Sequence, residues 1–301
     1  MKKTILLSIF ACASLFAKPL VTTTILPTKY FVEQIAGDSI NVEAMVERGA
    51  DPHTFEPKPS QMKSVEKSDL HFAVGMEFDK VWLPKLQKQF PNLVVVDTDK
   101  GVEKVEMSKH HHHHDADHEE HSHDTHKKTS NHEDDEHDHS GLDPHIWLDP
   151  ILVKTQVENI ANALIEKYPQ NKTLFELNLA KFKENLDKFD ANTAKILKEL
   201  KTDKFMVYHP SWGYFAKRYG LVQIPIEIEG KEPKPADLKN LINEAKEEGV
   251  KVIFVAPQFS QKSASTIAKA TSASVVEIDQ LPYEWLDEMQ KTVDVFAKYL
   301  K

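Results

Sequence analysis

From Asn171 to Lys201 the apolar residues Phe175, Leu179, Phe182, Leu186, Phe189, Ile196 and Leu200 follow a 4-3 spacing, broken only at Thr193. A stripe of this kind is one face of a single helix. At ~1.5 Å per residue it is a rod of ~45 Å, longer than a small domain is wide. The stretch contains neither Pro nor Gly, the usual places for a kink. Such a rod is expected to be a spine between two lobes, and the rest of the chain must fold around it.

Both flanks of the rod alternate between strand and helix patterns. Before it, "LVTTTI", "SINVEAMV", "HFAVGM" and "LVVVDT" read as strands, and "TKYFVEQIAG", "SQMKSVEKSDL" and "DKVWLPKLQKQF" as the helices between them. The segment "PILVKTQVENIANALIEKYP" reads as a further helix leading to the rod. After it, "KFMVYH", "LVQIPIEIE", "VKVIFVAP" and "ASVVEID" read as strands separated by helices, with "YEWLDEMQKTVDVFAKYL" closing the chain. Alternation of this kind predicts an α/β fold with mostly parallel sheets. The expected organisation is an N-terminal lobe over 18–170, a linking helix over 171–200 and a C-terminal lobe over 201–301. A cleft is expected between the lobes, where the C-terminal ends of the strands meet.

The first 17 residues, "MKKTILLSIFACASLFA", carry a basic start, an apolar run and small residues, the pattern of a secretory signal peptide. Cleavage after Ala17 is expected, and it would take the net charge from −9 to −11 by removing Lys2 and Lys3. The only cysteine, Cys12, lies in this segment, so the mature chain has no disulfide and no thiolate ligand. Lipid attachment at Cys12 is the alternative reading of "IFAC". Export places the protein in the periplasm, and no second apolar run of ~20 residues follows to anchor it. An acidic chain argues against a nucleic-acid partner.

Twelve of the sixteen histidines crowd into residues 110–139, interleaved with Asp and Glu. Almost no apolar residue is present between 107 and 140, so this stretch is expected to be a disordered loop. The four other histidines are His53, His71, His145 and His209. His53 and His145 each follow Asp-Pro, whose proline stiffens the backbone just before the imidazole. His209 ends the strand "KFMVYH", and Asp279 ends the strand "ASVVEID". Positions at strand exits and helix starts can converge in an interlobe cleft, and three imidazoles with one carboxylate suit tetrahedral Zn²⁺. A lone His near a turn is commonly a surface residue, and a strand-end Asp is commonly a helix cap. His71 opens an apolar strand with no stiff turn, so a structural role is expected there.

The motifs "GADPHTFEPKPSQ", "GLDPHIWLDP", "VYHPSWGYFAKRYGL", "IPIEIEGKEP" and "VVEID" occur in this order, with the His-rich acidic stretch before the second. In them the chain resembles the ZnuA family, the periplasmic zinc-binding subunits of bacterial ABC importers, over essentially its whole mature length. The resemblance implies two α/β lobes on a rigid helix with the metal held between them. By motif, His53, His145 and His209 match the family's histidines, and Asp279 matches the carboxylate that many relatives use. Some zinc-specific members carry Glu just before the first histidine, where this chain has Pro52, so the fourth ligand is Asp279 or a water. Manganese-type relatives carry Glu at the third position, so His209 favours zinc. Some relatives have a second-lobe disulfide, which this chain cannot form.

The function expected is capture of Zn²⁺ and its delivery to a membrane permease, by a monomer with no enzymatic activity. The His-rich stretch is then an accessory that holds further zinc more weakly, since each coordination set there must order its own flexible chain. Two other classes stay open at this level: a zinc hydrolase or lyase using three histidines and an activated water, and a zinc buffer or adhesin acting through the His-rich stretch.

Overall fold

The computed structural model describes residues 18–108 and 141–301. The expected signal peptide, 1–17, lies outside the described residues, as does the expected His-rich loop apart from Met107 and Ser108.

The N-terminal half runs β1 (Leu20–Thr23), α1 (Leu26–Ala36), β2 (Asn41–Ala44), α2 (Pro59–Glu66), β3 (Leu70–Ala73), α3 (Glu77–Gln89), β4 (Val94–Asp97) and α4 (Pro150–Lys167). Then comes the long helix α5 (Lys172–Leu197). The second half runs β5 (Lys204–Val207), α6 (Gly213–Tyr219), β6 (Val222–Pro225), α7 (Pro235–Glu247), β7 (Val252–Val255), α8 (Lys262–Thr271), β8 (Ser274–Glu277) and α9 (Trp285–Leu300). Each half holds one fully parallel sheet, ordered β2-β1-β3-β4 in the first and β6-β5-β7-β8 in the second. The two sheets thus have the same winding. All four residues of β3 and of β7 are buried, as helices on both faces of a parallel sheet require.

Proline sets the first turn of α1, α2, α4 and α7, where its missing N–H costs no helical hydrogen bond. Asp149 caps α4, its Oδ1 accepting from Ile151 N (2.8 Å) and Leu152 N (3.1 Å).

Helix α5 has 26 residues, or ~39 Å. Phe175, Phe182, Leu186 and Phe189 of the expected stripe are buried, and so is Thr193, which sequence reading takes for a break. The helix packs against α1, α4 and α9. Lys154 pairs with Asp187 (2.6 Å) on the α4 side, and Asn192 Nδ2 donates to Gln290 Oε1 (3.1 Å) on the α9 side. One hydrophobic cluster includes Val21 and Phe72 of the first sheet, Phe182 and Leu186 of α5, and Phe205 and Phe254 of the second sheet. The lobes therefore share a core.

Candidate metal centre

The loop from β2 to α2 carries His53. His145 starts a short 3-10 turn, Ile146–Leu148, just before α4, and His209 lies two residues beyond β5. The two Asp-Pro-His sequences fold alike. Asp51 Oδ1 accepts from His53 N (3.0 Å), and Asp143 Oδ1 accepts from His145 N (2.9 Å). Each aspartate thus closes a small turn around its proline and turns the imidazole out of the chain. Among the described residues, one grouping could hold a metal ion. It consists of His53, His145 and His209, each offering one ring nitrogen, with all three nitrogens within 4.8 Å of one another.

Two of the three rings are pinned from behind. His145 Nδ1 lies 2.7 Å from Asp143 Oδ1, and His209 Nδ1 lies 2.8 Å from Glu227 Oε1. Donation of each Nδ1–H to its carboxylate fixes the tautomer and leaves the Nε2 lone pair as the ligand. Those two Nε2 atoms face each other at 3.3 Å. For Zn–N bonds of ~2.0–2.1 Å, two corners of a tetrahedron are ~3.3 Å apart. The pair already stands at the spacing that zinc needs.

His145 and His209 are almost fully buried, at 1% and 4% exposure. Aromatic rings wall them in: Trp147 lies 5.0 Å from the His145 ring and Phe259 5.2 Å from the His209 ring. Burial pushes the pKa of both imidazoles down. At His145 burial outweighs the nearby Asp143, and the result is a lowered pKa. At His209 the charge and hydrogen bond of Glu227, helped by Asp51 and Asp143, outweigh burial, and the result is raised. One ring therefore gives up its proton readily while its neighbour is surrounded by negative charge, an arrangement that favours a divalent cation between them.

Asp279 is placed differently. Its Oδ1 accepts from Gln258 Nε2 (3.0 Å) and from Leu281 N (2.9 Å), and it is not in the three-imidazole grouping. His71 is fully buried in β3, its Nδ1 at 3.0 Å from Thr22 Oγ1 and its Nε2 at 3.2 Å from Thr24 Oγ1, and it takes no part in the centre. Sequence reading missed Asp143 and Glu227 as partners of the imidazoles. Asp143 was visible as the aspartate two residues before a histidine. Glu227 gave no such signal, because only the tertiary fold brings it to His209.

A family profile described as "Zinc-uptake complex component A periplasmic" matches residues 21–299. The chain is 32% identical over 266 residues to the high-affinity zinc uptake system protein ZnuA of Bacillus subtilis (strain 168), covering 87% of this chain and 78% of that one. A crystal structure of ZnuA superposes with a TM-score of 0.82 at 36% identity, covering 95% of this chain and all of that one. A zinc-bound ZnuA mutant lacking residues 138–173 of its own numbering superposes at 0.81 with 35% identity, covering 95% of this chain and 99% of that one. The chain spans about half the length of the AdcA zinc-binding proteins of Streptococcus that it also matches. Two like-wound parallel sheets on a long helix, with three imidazoles between them and a profile match along nearly the whole described chain, have one common explanation: the chain belongs to the ZnuA family of periplasmic zinc-uptake components.

Proposed function

We propose that this protein captures Zn²⁺ in the periplasm through His53, His145 and His209 and delivers it to the permease of an ABC importer. Asp279 or a water is the fourth ligand. The observation that carries this reading is the 3.3 Å between the facing Nε2 atoms of His145 and His209, each ring held by a carboxylate on its other nitrogen. Zinc is cargo here and must leave again, so a closed site with no reacting partner suits the task. Asp143 and Glu227 already accept the Nδ1 protons, so neither is free to act as general base toward a bound water, which argues against a hydrolase. Among the described residues no helix is long and apolar enough to cross a membrane.

Chelator competition and metal analysis on the purified chain test the assignment. Each of His53→Ala, His145→Ala and His209→Ala is expected to lower affinity for the first zinc at least ~100-fold, since each removes one of few ligand bonds. Asp143→Asn is expected to cost ~10–100-fold by loosening the His145 ring. Asp279→Ala is expected to cost less, because water can take the vacated position. Unchanged affinity in any of the three histidine variants would remove that residue from the centre.

A further inference from the structure

His145 and His209 are held by buried carboxylates, whereas His53 comes in on a long loop. That loop runs from the end of β2 to the start of α2, and within it the main-chain N–H groups of Ala50, His53 and Thr54 donate to Glu47 O (3.1 Å), Asp51 Oδ1 (3.0 Å) and Asp51 O (3.2 Å). Its two ends meet at one side chain, Gln61, in the first turn of α2. Gln61 Oε1 accepts from Lys58 N (2.8 Å) where the loop ends. Gln61 Nε2 donates to Met45 O (2.5 Å) where the loop begins, and reaches Glu47 Oε1 at 3.4 Å. Lys58 Nζ closes the same junction on Glu47 Oε2 (2.7 Å). Phe55 adds a ring contact with Phe78 of α3 at 6.1 Å.

The first of these bonds is an ordinary helix cap, since Gln at this position commonly reaches back to the cap N–H. The second is not, because capping needs only the amide oxygen. Nε2 instead ties α2 to the far end of the loop and turns 45–58 into a closed ring of chain. We propose that Gln61 is a positioning residue for metal capture: it staples the loop shut so that His53 is presented to the two fixed imidazoles. This rests on the three-histidine reading above. If an unstapled loop holds His53 in place only ~10% of the time, the apparent zinc affinity falls ~10-fold with no ligand touched.

Gln61→Glu separates the two roles. Glutamate keeps the oxygen that caps Lys58 N, but it cannot donate to Met45 O and it sets a second carboxylate against Glu47. Zinc affinity of the full-length chain is measured against a competing chelator strong enough to strip the weaker sites, with amide hydrogen exchange of the apo protein alongside. Gln61→Glu is expected to weaken zinc binding ~10-fold and to speed exchange across 45–58 while the sheets stay protected. In a His53→Ala background the same change is expected to have no further effect on the residual affinity. Parental affinity in Gln61→Glu would reduce Gln61 to a helix cap and overturn the proposal, as would an equal loss with and without His53. Unchanged binding in His53→Ala alone would instead bring down the three-histidine reading, and the staple with it.

Discussion

His71 and Asp79 are the buried titratable pair that the metal centre does not use. A chain of polar groups runs from Asp79 Oδ1 through Thr24 Oγ1, the His71 ring, Thr22 Oγ1 and Ser68 Oγ to Leu70 O, which makes five contacts in series. Thr24 Oγ1 donates to Asp79 Oδ1, and burial raises the Asp79 pKa while it lowers that of His71 to about 4. Asp79 Oδ2 meanwhile accepts from Val74, Gly75 and Met76 N at 2.9, 2.8 and 3.2 Å. Asn keeps one acceptor oxygen for the three N–H groups but turns an amide donor toward the Thr24 hydroxyl, which then loses its acceptor, so Asp79→Asn is expected to cost ~1–3 kcal/mol in urea unfolding at pH 7. An unchanged midpoint would mean that the Thr24–Asp79 hydrogen bond contributes nothing to stability. The pH dependence follows from His71. Unfolded, it takes up a proton near its ordinary 6.5, and folded only near 4. Between those values the unfolded state binds more protons, so the contribution present above pH 6.5 is lost as pH falls toward 4, ~3 kcal/mol in all. An NMR titration checks it: the His71 ring is expected to stay neutral until about pH 4.

Individual elements were legible in the sequence where burial alone shapes them. The strands and helices alternate as the apolar pattern predicts, since a segment buried on one face must repeat with the period of its backbone. The end of the long helix was not legible. The stripe predicts helix to Lys201, but α5 stops at Leu197 because Lys201 N (2.9 Å) and Thr202 N (3.1 Å) donate to Leu300 O at the far end of the chain. The centre divides in the same way. The Asp-Pro-His turns are local and carry His53 and His145 in their sequence, whereas Glu227 reaches His209 only because β5 and β6 pair, and a tight turn follows it. In that turn Ile228 and Lys231 exchange backbone hydrogen bonds at 3.0 and 2.9 Å, and Glu229 and Gly230 between them both have positive φ, at 50° and 72°. This is the backbone of a two-residue hairpin of the Asn-Gly kind, and Glu is a costly choice for its first position. Glu229→Asn is expected to raise stability by ~0.5–1 kcal/mol, read from the shift in denaturant midpoint, with zinc affinity unchanged because Glu227 keeps its place. A lower midpoint would mean that the Glu229 side chain is itself held by contacts the turn needs.

For the whole molecule, the question is whether zinc closes the two lobes like a clamshell. Periplasmic binding proteins can close about a hinge, but a hinge needs a place to bend and a seam that opens. Helix α5 offers neither Pro nor Gly, and bending it would break backbone hydrogen bonds. The seam is hydrogen-bonded along its length. Trp147 Nε1 donates to Gln280 O (2.7 Å), Trp285 Nε1 to Trp147 O (2.7 Å), Tyr214 Oη to Asp143 O (2.8 Å) and Tyr283 Oη to Glu33 Oε2 (2.8 Å). Arg218 Nε sits 2.7 Å from Asp149 Oδ2. These bonds have a particular consequence for His145. By sequence it belongs to the first half, but the segment around it is tied to α6 and to the Gln280 loop of the second, so His145 and His209 move as one body. A rotation of tens of degrees would also split the shared core, where Trp285 packs on Phe31 (5.7 Å) and Phe189 (5.5 Å), and would expose rings that each contribute ~1.5–3 kcal/mol by burial. Zinc is therefore expected to be met by the His53 loop moving toward a fixed pair of imidazoles. Distances between spin labels on the two lobes, measured in apo and zinc-loaded protein, are expected to change by no more than ~3 Å, the scale of helix shifts within a packed core. Hydrogen exchange should slow mainly across 45–58. A closure of tens of degrees would sink the stiff-spine account. A small shift means that the permease distinguishes loaded from empty protein by the surface around the His53 loop.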